Sequence, residues 1–421
     1  MSDFSTGTPA TTPRGPEGAA HLTAALLQAT LSARRIGAMV SLLWDGPQLW
    51  AYACSLALGE DPERVERLAG ALALAAGADA ARVARDSGRL IIEIPKPAGD
   101  RKPLRARRLE GLTPPSPTAV ALGIATGGRA VWFDLADANN PHLLIAGTTG
   151  SGKTVALHWL LYRLALQNAP EALRMVLLDP KRGELSAFER LPHLLHPVTS
   201  TPIEMGRLLT WATDELDRRL ASGKRGPRLL LVCEELADLQ KTNPEAMTAL
   251  ARIAQIGRGL GVHLVGVTQQ PGAKSLGDAL ANFPARLLGR VASATLTYGA
   301  AGRAKTAADT LLGKGDFLLL TADGTTRVQL PLLDGRHYAG LPRAATPASL
   351  EGELPAVAYL ADLTGRDPRG GQGRRELTDA DYAAISADLA AGAKADDLRK
   401  YGIGYDRGAR IVNNYREGRD A

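Results

Sequence analysis

Apolar residues along this chain fall in short aliphatic runs, each closed by a polar, acidic or glycine-containing turn. Ala130 to Leu135, His142 to Ala146, Met175 to Leu178, Arg228 to Cys233, His263 to Val267, Ala285 to Gly289 and Asp316 to Leu320 read as strands. Helical segments such as Val155 to Gln167 lie between them. This alternation over 118–335 predicts a largely parallel sheet with helices on its faces. Ahead of it, 21–117 reads as a small α+β accessory domain. It holds alanine- and leucine-rich helical stretches such as Asp61 to Ala78 and one strand, Arg89 to Ile94, stopped by Pro95. Thr113 to Pro117 is a stiff connector, because proline fixes φ. Residues 1–20 are rich in Thr, Pro, Gly and Ala and read as a disordered leader. Residues 336–376 read as a linker. Residues 377–421 read as three short helices, Leu377 to Ala391, Ala395 to Tyr401 and Tyr405 to Tyr415.

The length of 421 residues is enough for two to four domains of about 150 residues and for a large unstapled core. Cys54 and Cys233 lie far apart with no metal-ligand spacing, as expected in a reducing compartment. No run approaches the roughly 18 apolar residues that span a bilayer, and the N-terminus lacks a signal-peptide layout. A cytoplasmic protein is expected. A net charge of +6 permits a polyanionic partner without identifying one. Arg101, Lys102, Arg105, Arg107 and Arg108 form an acid-free cluster that reads equally as a solvated loop or a phosphate-tracking patch.

The sharpest chemical signal is Gly147-Thr148-Thr149-Gly150-Ser151-Gly152-Lys153-Thr154, placed between the strand at 142–146 and the helix after it. This is a phosphate-binding loop in its strand-loop-helix context. Its glycines let backbone N–H groups curl inward onto phosphate at a helix N-terminus. Lys153 would reach the β- and γ-phosphates, and the Thr154 hydroxyl would hold Mg²⁺. ATP and Mg²⁺ are the implied cofactors. Glu234 and Glu235 follow the aliphatic run Leu229 to Cys233. Neighbours on a strand face opposite ways, so Glu234 is assigned to the metal side and Glu235 to polarising the attacking water. Thr268-Gln269-Gln270-Pro271 reads either as a γ-phosphate sensor or as a plain strand-end turn.

The C-terminal piece has a glycine-containing break at Gly402-Ile403-Gly404, as at a helix-turn-helix corner. Arg399, Lys400, Arg407, Arg410 and Arg416 face only Asp406 over 398–416. A basic helix of this kind enters a major groove, with Asn413 and Asn414 at base edges; the other reading is a subunit-contact module.

At these residues the chain resembles the FtsK/SpoIIIE double-stranded DNA translocases. The resemblance runs through HLLIAGTTGSGKT (142–154), LLDPKRGELSAFERLPHLLHPV (177–198), LLLVCEELADL (229–239), GVHLVGVTQQP (261–271) and LLGKGDFLL (311–319), and returns at 403–411. It implies a RecA-like P-loop NTPase core assembled as a hexameric ring around duplex DNA, with ATP bound between subunits. By position in those blocks, Lys153 and Thr154 are the phosphate-loop pair, Glu235 the catalytic glutamate and Gln269 the sensor. It further implies an arginine acting on a neighbouring subunit's nucleotide, for which Arg258, Arg286, Arg290 and Arg303 are candidates. Glu234 stands where the family usually has Asp, and Thr154 where Ser is common. The family's N-terminal membrane segments and the wing of its C-terminal domain have no counterpart here.

The function expected from the sequence is therefore an ATP-dependent duplex DNA translocase serving DNA transfer or segregation. The alternative is an ATP-switched DNA-binding regulator or scaffold with weak hydrolysis.

Overall fold

The computed structural model describes residues 16–86, 88–242, 244–270, 277–293, 301, 306–346, 348–350, 354, 384–385, 387–389, 391–401 and 412. The chain begins with α1 (Pro16–Ala33), β1 (Ala38–Asp45), β2 (Leu49–Leu56), α2 (Pro62–Glu66), α3 (Ala69–Ala75), β3 (Arg82–Asp86) and β4 (Arg89–Pro95). It continues through β5 (Leu104–Arg105), α4 (Arg107–Glu110), β6 (Ala119–Ala125), β7 (Ala130–Asp134), β8 (Leu143–Ala146) and α5 (Lys153–Gln167). Then come β9 (Leu173–Leu178), α6 (Pro202–Ser222), β10 (Arg228–Cys233), α7 (Leu236–Thr242), α8 (Pro244–Leu260) and β11 (Val262–Thr268). The last elements are β12 (Ala285–Leu288), β13 (Asp316–Thr321), β14 (Gly324–Gln329), β15 (Pro331–Leu332) and α9 (Gly335–Ala339), with a 3₁₀ turn at Ala395–Tyr401. Two compact units emerge. One comprises 1–134, 145–161 and 285–335, and the other 135–144, 162–284 and 336–421.

The first unit contains a four-stranded antiparallel sheet in the order β1-β2-β4-β3. Helix α1 packs on it through Leu27 and Leu31 against Trp50, Tyr52, Ile92 and Ile94. The Tyr52 hydroxyl, taken out of water, donates to the Ala20 carbonyl at 3.0 Å. Residues 21–110 are thus richer in strand than their alanine content suggests. The sequence pattern does not predict β1, β2 and β3; β2 is fixed by pairing with β1 on one edge and β4 on the other, while β1 and β3 each pair along one edge only. The unit also carries β7-β6-β14-β13-β12, paired antiparallel throughout. Short hairpins join β6 to β7 and β13 to β14, and a hairpin can only join antiparallel strands. The expectation of a largely parallel sheet therefore fails here.

It holds in the second unit, where β9, β10 and β11 are parallel and in register, with Leu231 opposite Val176 and Leu264. Every residue of β11 is buried, as expected of a strand covered on both faces. Two histidines lie in this core. His142 is buried, with Nε2 3.0 Å from the Ala254 carbonyl and Nδ1 accepting the Leu264 N–H at 3.0 Å. That pairing requires the neutral ring. Burial, and then the nearby His263, push its pKa down to about 4. The folded value lies below the unfolded one of about 6.5, so the contribution is complete above pH 6.5 and is lost as pH falls toward 4. About 2 kcal/mol should be gone by about pH 5. Denaturant titrations at about pH 7.5 and 5 check this: a His142→Gln variant should show a flatter pH dependence than the parent. Parallel slopes would show that another group titrates.

Among the described residues no helix is long and apolar enough to cross a membrane. Residues 395–401 form a short helix, as expected, of the tight 3₁₀ kind. Its start is pinned by Asp397, whose carboxylate accepts the Lys394 N–H and whose own N–H returns to the Lys394 carbonyl.

Candidate nucleotide site

In the first unit the loop Gly147–Thr154 leaves β8 and opens α5. It is braced by backbone from outside itself. The Arg290 carbonyl accepts from Thr148 N–H at 2.8 Å and from its hydroxyl at 3.1 Å. Lys314 and Gly315 donate their N–H groups to the carbonyls of Gly150 and Ser151 at 3.2 and 3.0 Å. A turn within the loop, Ser151 N–H to Thr148 carbonyl, completes the curl. Gly152 has φ +104°, and a Cβ there would stand 3.0 Å from the Gly315 nitrogen. Both backbone angle and space therefore demand glycine at the last turn before the helix. Lys153 is mostly buried, its ammonium donating to the Thr148 carbonyl at 3.1 Å. The arrangement is a tightly braced glycine-rich loop at a helix N-terminus with one cation at its rim, which is chemistry for phosphate.

In the second unit, β9 ends at Leu178 and β10 at Cys233, and acids follow both strands. Asp179 is buried and accepts three N–H groups, from Lys181, Gly183 and Leu185, at 3.0–3.2 Å. This folds the 179–185 loop so that the Lys181 ammonium meets Glu235 Oε2 at 2.8 Å. Glu235 Oε1 accepts from the Thr268 hydroxyl and the Gln269 N–H, both at 3.1 Å. The backbone of Glu235 is left-handed, φ +50°, and its carbonyl accepts from Asp238 and Leu239. It therefore also opens α7, the structural role that an acidic pair at a helix start can have. Burial pushes the Glu235 carboxyl up, but the Lys181 ammonium and the Gln269 and Thr268 donors overcome this and hold it below the usual range.

Glu234 is a different group. Its N–H bonds the Leu178 carbonyl at 2.9 Å, while Oε1 is buried without a hydrogen-bond partner. Burial, then the charges of Glu184 and Asp179, raise its pKa to about 8. Two adjacent glutamates are thus held in opposite charge states, the separation of roles that acid-base chemistry needs.

The structure brings Glu235, Gln269 and Lys181 together, with Gln269 contributing its backbone while its side chain is exposed. Lys181 is a site residue that the sequence does not single out, although its block, Asp179-Pro180-Lys181, carries the family resemblance more specifically than the phosphate loop alone. Arg258 ends α8, exposed; Arg286 is half-buried on β12; Arg290 acts here through its carbonyl, with the residue exposed. Arg303 lies outside the described residues. Of the basic C-terminal set, Arg399 pairs with Asp396 at 3.2 Å and Lys400 with Asp388 at 2.6 Å. Arg407, Arg410, Asn413 and Asn414 lie outside the described residues.

Residues 106–224 match the family model of FtsK/SpoIIIE. The chain is 31% identical over 329 residues to the DNA translocase FtsK of Leptospira interrogans, covering 72% of this chain and 34% of that protein. It is 29% identical over 433 residues to the DNA translocase FtsK of Lactiplantibacillus plantarum, covering 93% of this chain and 53% of the relative. The chain thus spans between a third and about half of the length of these relatives. Among solved structures it is similar to the pCW3 conjugation coupling protein TcpA with ATPγS, at 22% identity and TM-score 0.49, covering 75% of this chain and 96% of that one.

Proposed function

This chain is a member of the FtsK/SpoIIIE family, and from that premise we propose that it is an ATP-driven motor that moves double-stranded DNA. The observation that carries the reading is the braced phosphate loop, supported by the charged, triply bonded Glu235 at the end of a buried strand. ATP enters on the amides of Gly150 to Thr154, with Lys153 on the β- and γ-phosphates. Glu235 polarises the attacking water, and Gln269 senses the γ-phosphate.

Each unit, taken by itself, holds a donor that suits Mg²⁺. Glu234 keeps an unpartnered buried oxygen beside other acids, and Thr154 offers a hydroxyl on the first turn of α5, both hard donors. When bound, the ion would neutralise charge on the phosphate oxygens. Glu234 is largely protonated at neutral pH while no cation faces it, and a divalent ion favours its charged form.

The motor works as a homo-oligomer, a hexameric ring in which one of Arg258, Arg286, Arg290 or Arg303 from a neighbouring copy stabilises the transferring phosphoryl group. The relatives that match it are named DNA translocases, which favours DNA as the substrate; duplex DNA, moved in transfer or segregation, is the form proposed here. Arg399, Lys400, Arg407, Arg410, Asn413 and Asn414 are the proposed C-terminal DNA contacts. The test is steady-state ATP turnover with and without DNA, and stimulation by long duplex is the expected result.

A further inference from the structure

The first unit holds a buried ionic group that none of these roles absorbs. Arg327 on β14 grips Asp316 on β13 with two bonds, Nε to Oδ1 at 2.9 Å and Nη2 to Oδ2 at 2.6 Å. Its third arm, Nη1, reaches Glu93 on β4 at 2.8 Å. Glu93 also takes Arg82 from β3 at 3.1 Å and the Thr126 hydroxyl at 2.8 Å. Glu93, Asp316 and Arg327 are all essentially shut off from water. Two carboxylates and two guanidinium groups balance in charge. Despite its burial, Glu93 is held down at about 2 by Arg82 and Arg327.

A buried ionic group of this kind is poor evidence for stability, because apolar side chains of the same volume often hold a fold as well. What it does supply is geometry. Asp316 Oδ2 accepts the Leu312 N–H at 2.8 Å, and the Asp316 N–H returns to the Gly313 carbonyl at 3.1 Å. Between these bonds the chain turns through Gly313, Lys314 and Gly315, with φ of +74°, +50° and +90°. A lysine in the left-handed region costs energy and persists only where its surroundings fix it. Here Gln48 and Gln329 both donate to the Lys314 carbonyl, at 3.1 and 3.3 Å. The turn so held is the one whose N–H groups take the carbonyls of Gly150 and Ser151. In a trans peptide the Ser151 carbonyl and the Gly152 N–H point opposite ways, so pinning one aims the other. That amide leads into the first turn of α5, where phosphate is to be bound.

We infer that Arg327 is a positioning residue for the phosphate loop: by tying Asp316 to Glu93 it holds the 312–315 turn against Gly150 and Ser151. The four-stranded N-terminal sheet thereby sets nucleotide affinity, through Glu93 and through Gln48 in the β1–β2 turn. This rests on the reading of 147–154 as the nucleotide loop.

The test measures Mg·ATPγS dissociation constants on folded, full-length protein, together with KM and kcat for ATP and thermal midpoints. Arg327→Met and Asp316→Asn should each weaken ATPγS binding about tenfold and raise KM alike, with kcat at saturation changed less than about threefold. Arg327→Lys should recover part of the loss, since it restores the charge but not the fork. Gln48→Leu, which leaves the buried charges intact and so guards against unfolding in the other variants, should weaken binding about threefold. Lowered thermal midpoints with ATPγS affinity within about twofold of the parent, while Lys153→Ala weakens binding by on the order of 10²-fold, would overturn the inference alone. Undiminished binding in Lys153→Ala would instead overturn the nucleotide-loop reading beneath it.

Discussion

A Glu235→Gln variant should keep its affinity for ATP and lose turnover by about 10²- to 10⁴-fold, the usual contribution of a positioned general base. The amide matches the carboxylate in shape, so its oxygen still accepts from Thr268 and Gln269. What disappears is the negative charge that pairs with Lys181 and that the proposed mechanism uses to orient water. The left-handed backbone and the cap on α7 involve main-chain atoms and survive the exchange. ATP should therefore accumulate on the variant unhydrolysed, measurable as bound radiolabelled ATP beside phosphate release. Turnover within about tenfold of the parent would show that another group polarises the water.

The second large effect is on binding. Lys153→Ala removes the cation at the rim of the phosphate loop, and affinity for ATP should fall by on the order of 10²-fold, as when one preorganised charged donor is deleted from a closed site. The fold should survive. The braces on the loop come from main-chain groups of Arg290, Lys314 and Gly315, and the substitution touches none of them. Equilibrium titration with ATPγS beside a thermal melt separates the two effects. Parent-like affinity in a folded variant would remove Lys153 from the site.

These contrasting effects follow residues whose legibility in the sequence was uneven. The phosphate loop was plain, because glycine spacing, a preceding aliphatic run and a following helix all encode one local geometry. Glu234 and Glu235 were legible as a pair at a strand end. Their opposite charge states were not, since these depend on Lys181, Glu184 and Asp179, which lie about 50 residues away in sequence. The parallel strands β9, β10 and β11 announce themselves as unbroken apolar runs. Strand β14 does not: four of the six residues in Gly-Thr-Thr-Arg-Val-Gln are polar, and its Arg327 is buried only because Glu93 and Asp316 meet it there. Strand β2, Leu49 to Leu56, was hidden by its alanines, and its identity comes from pairing with β1 and β4. Local pattern encodes what one segment does alone, whereas ion pairs and mixed sheets are decided between segments.

Whether this chain is a motor on duplex DNA is decided by steady-state ATP turnover without DNA, with long linear duplex and with single strands of matched length. Low turnover alone, stimulation of about tenfold or more by duplex and little by single strands are expected, an effect abolished by Glu235→Gln. Measurable ATP binding with flat, near-zero turnover in all three conditions would contradict the motor reading and make the protein an ATP-switched DNA-binding regulator instead.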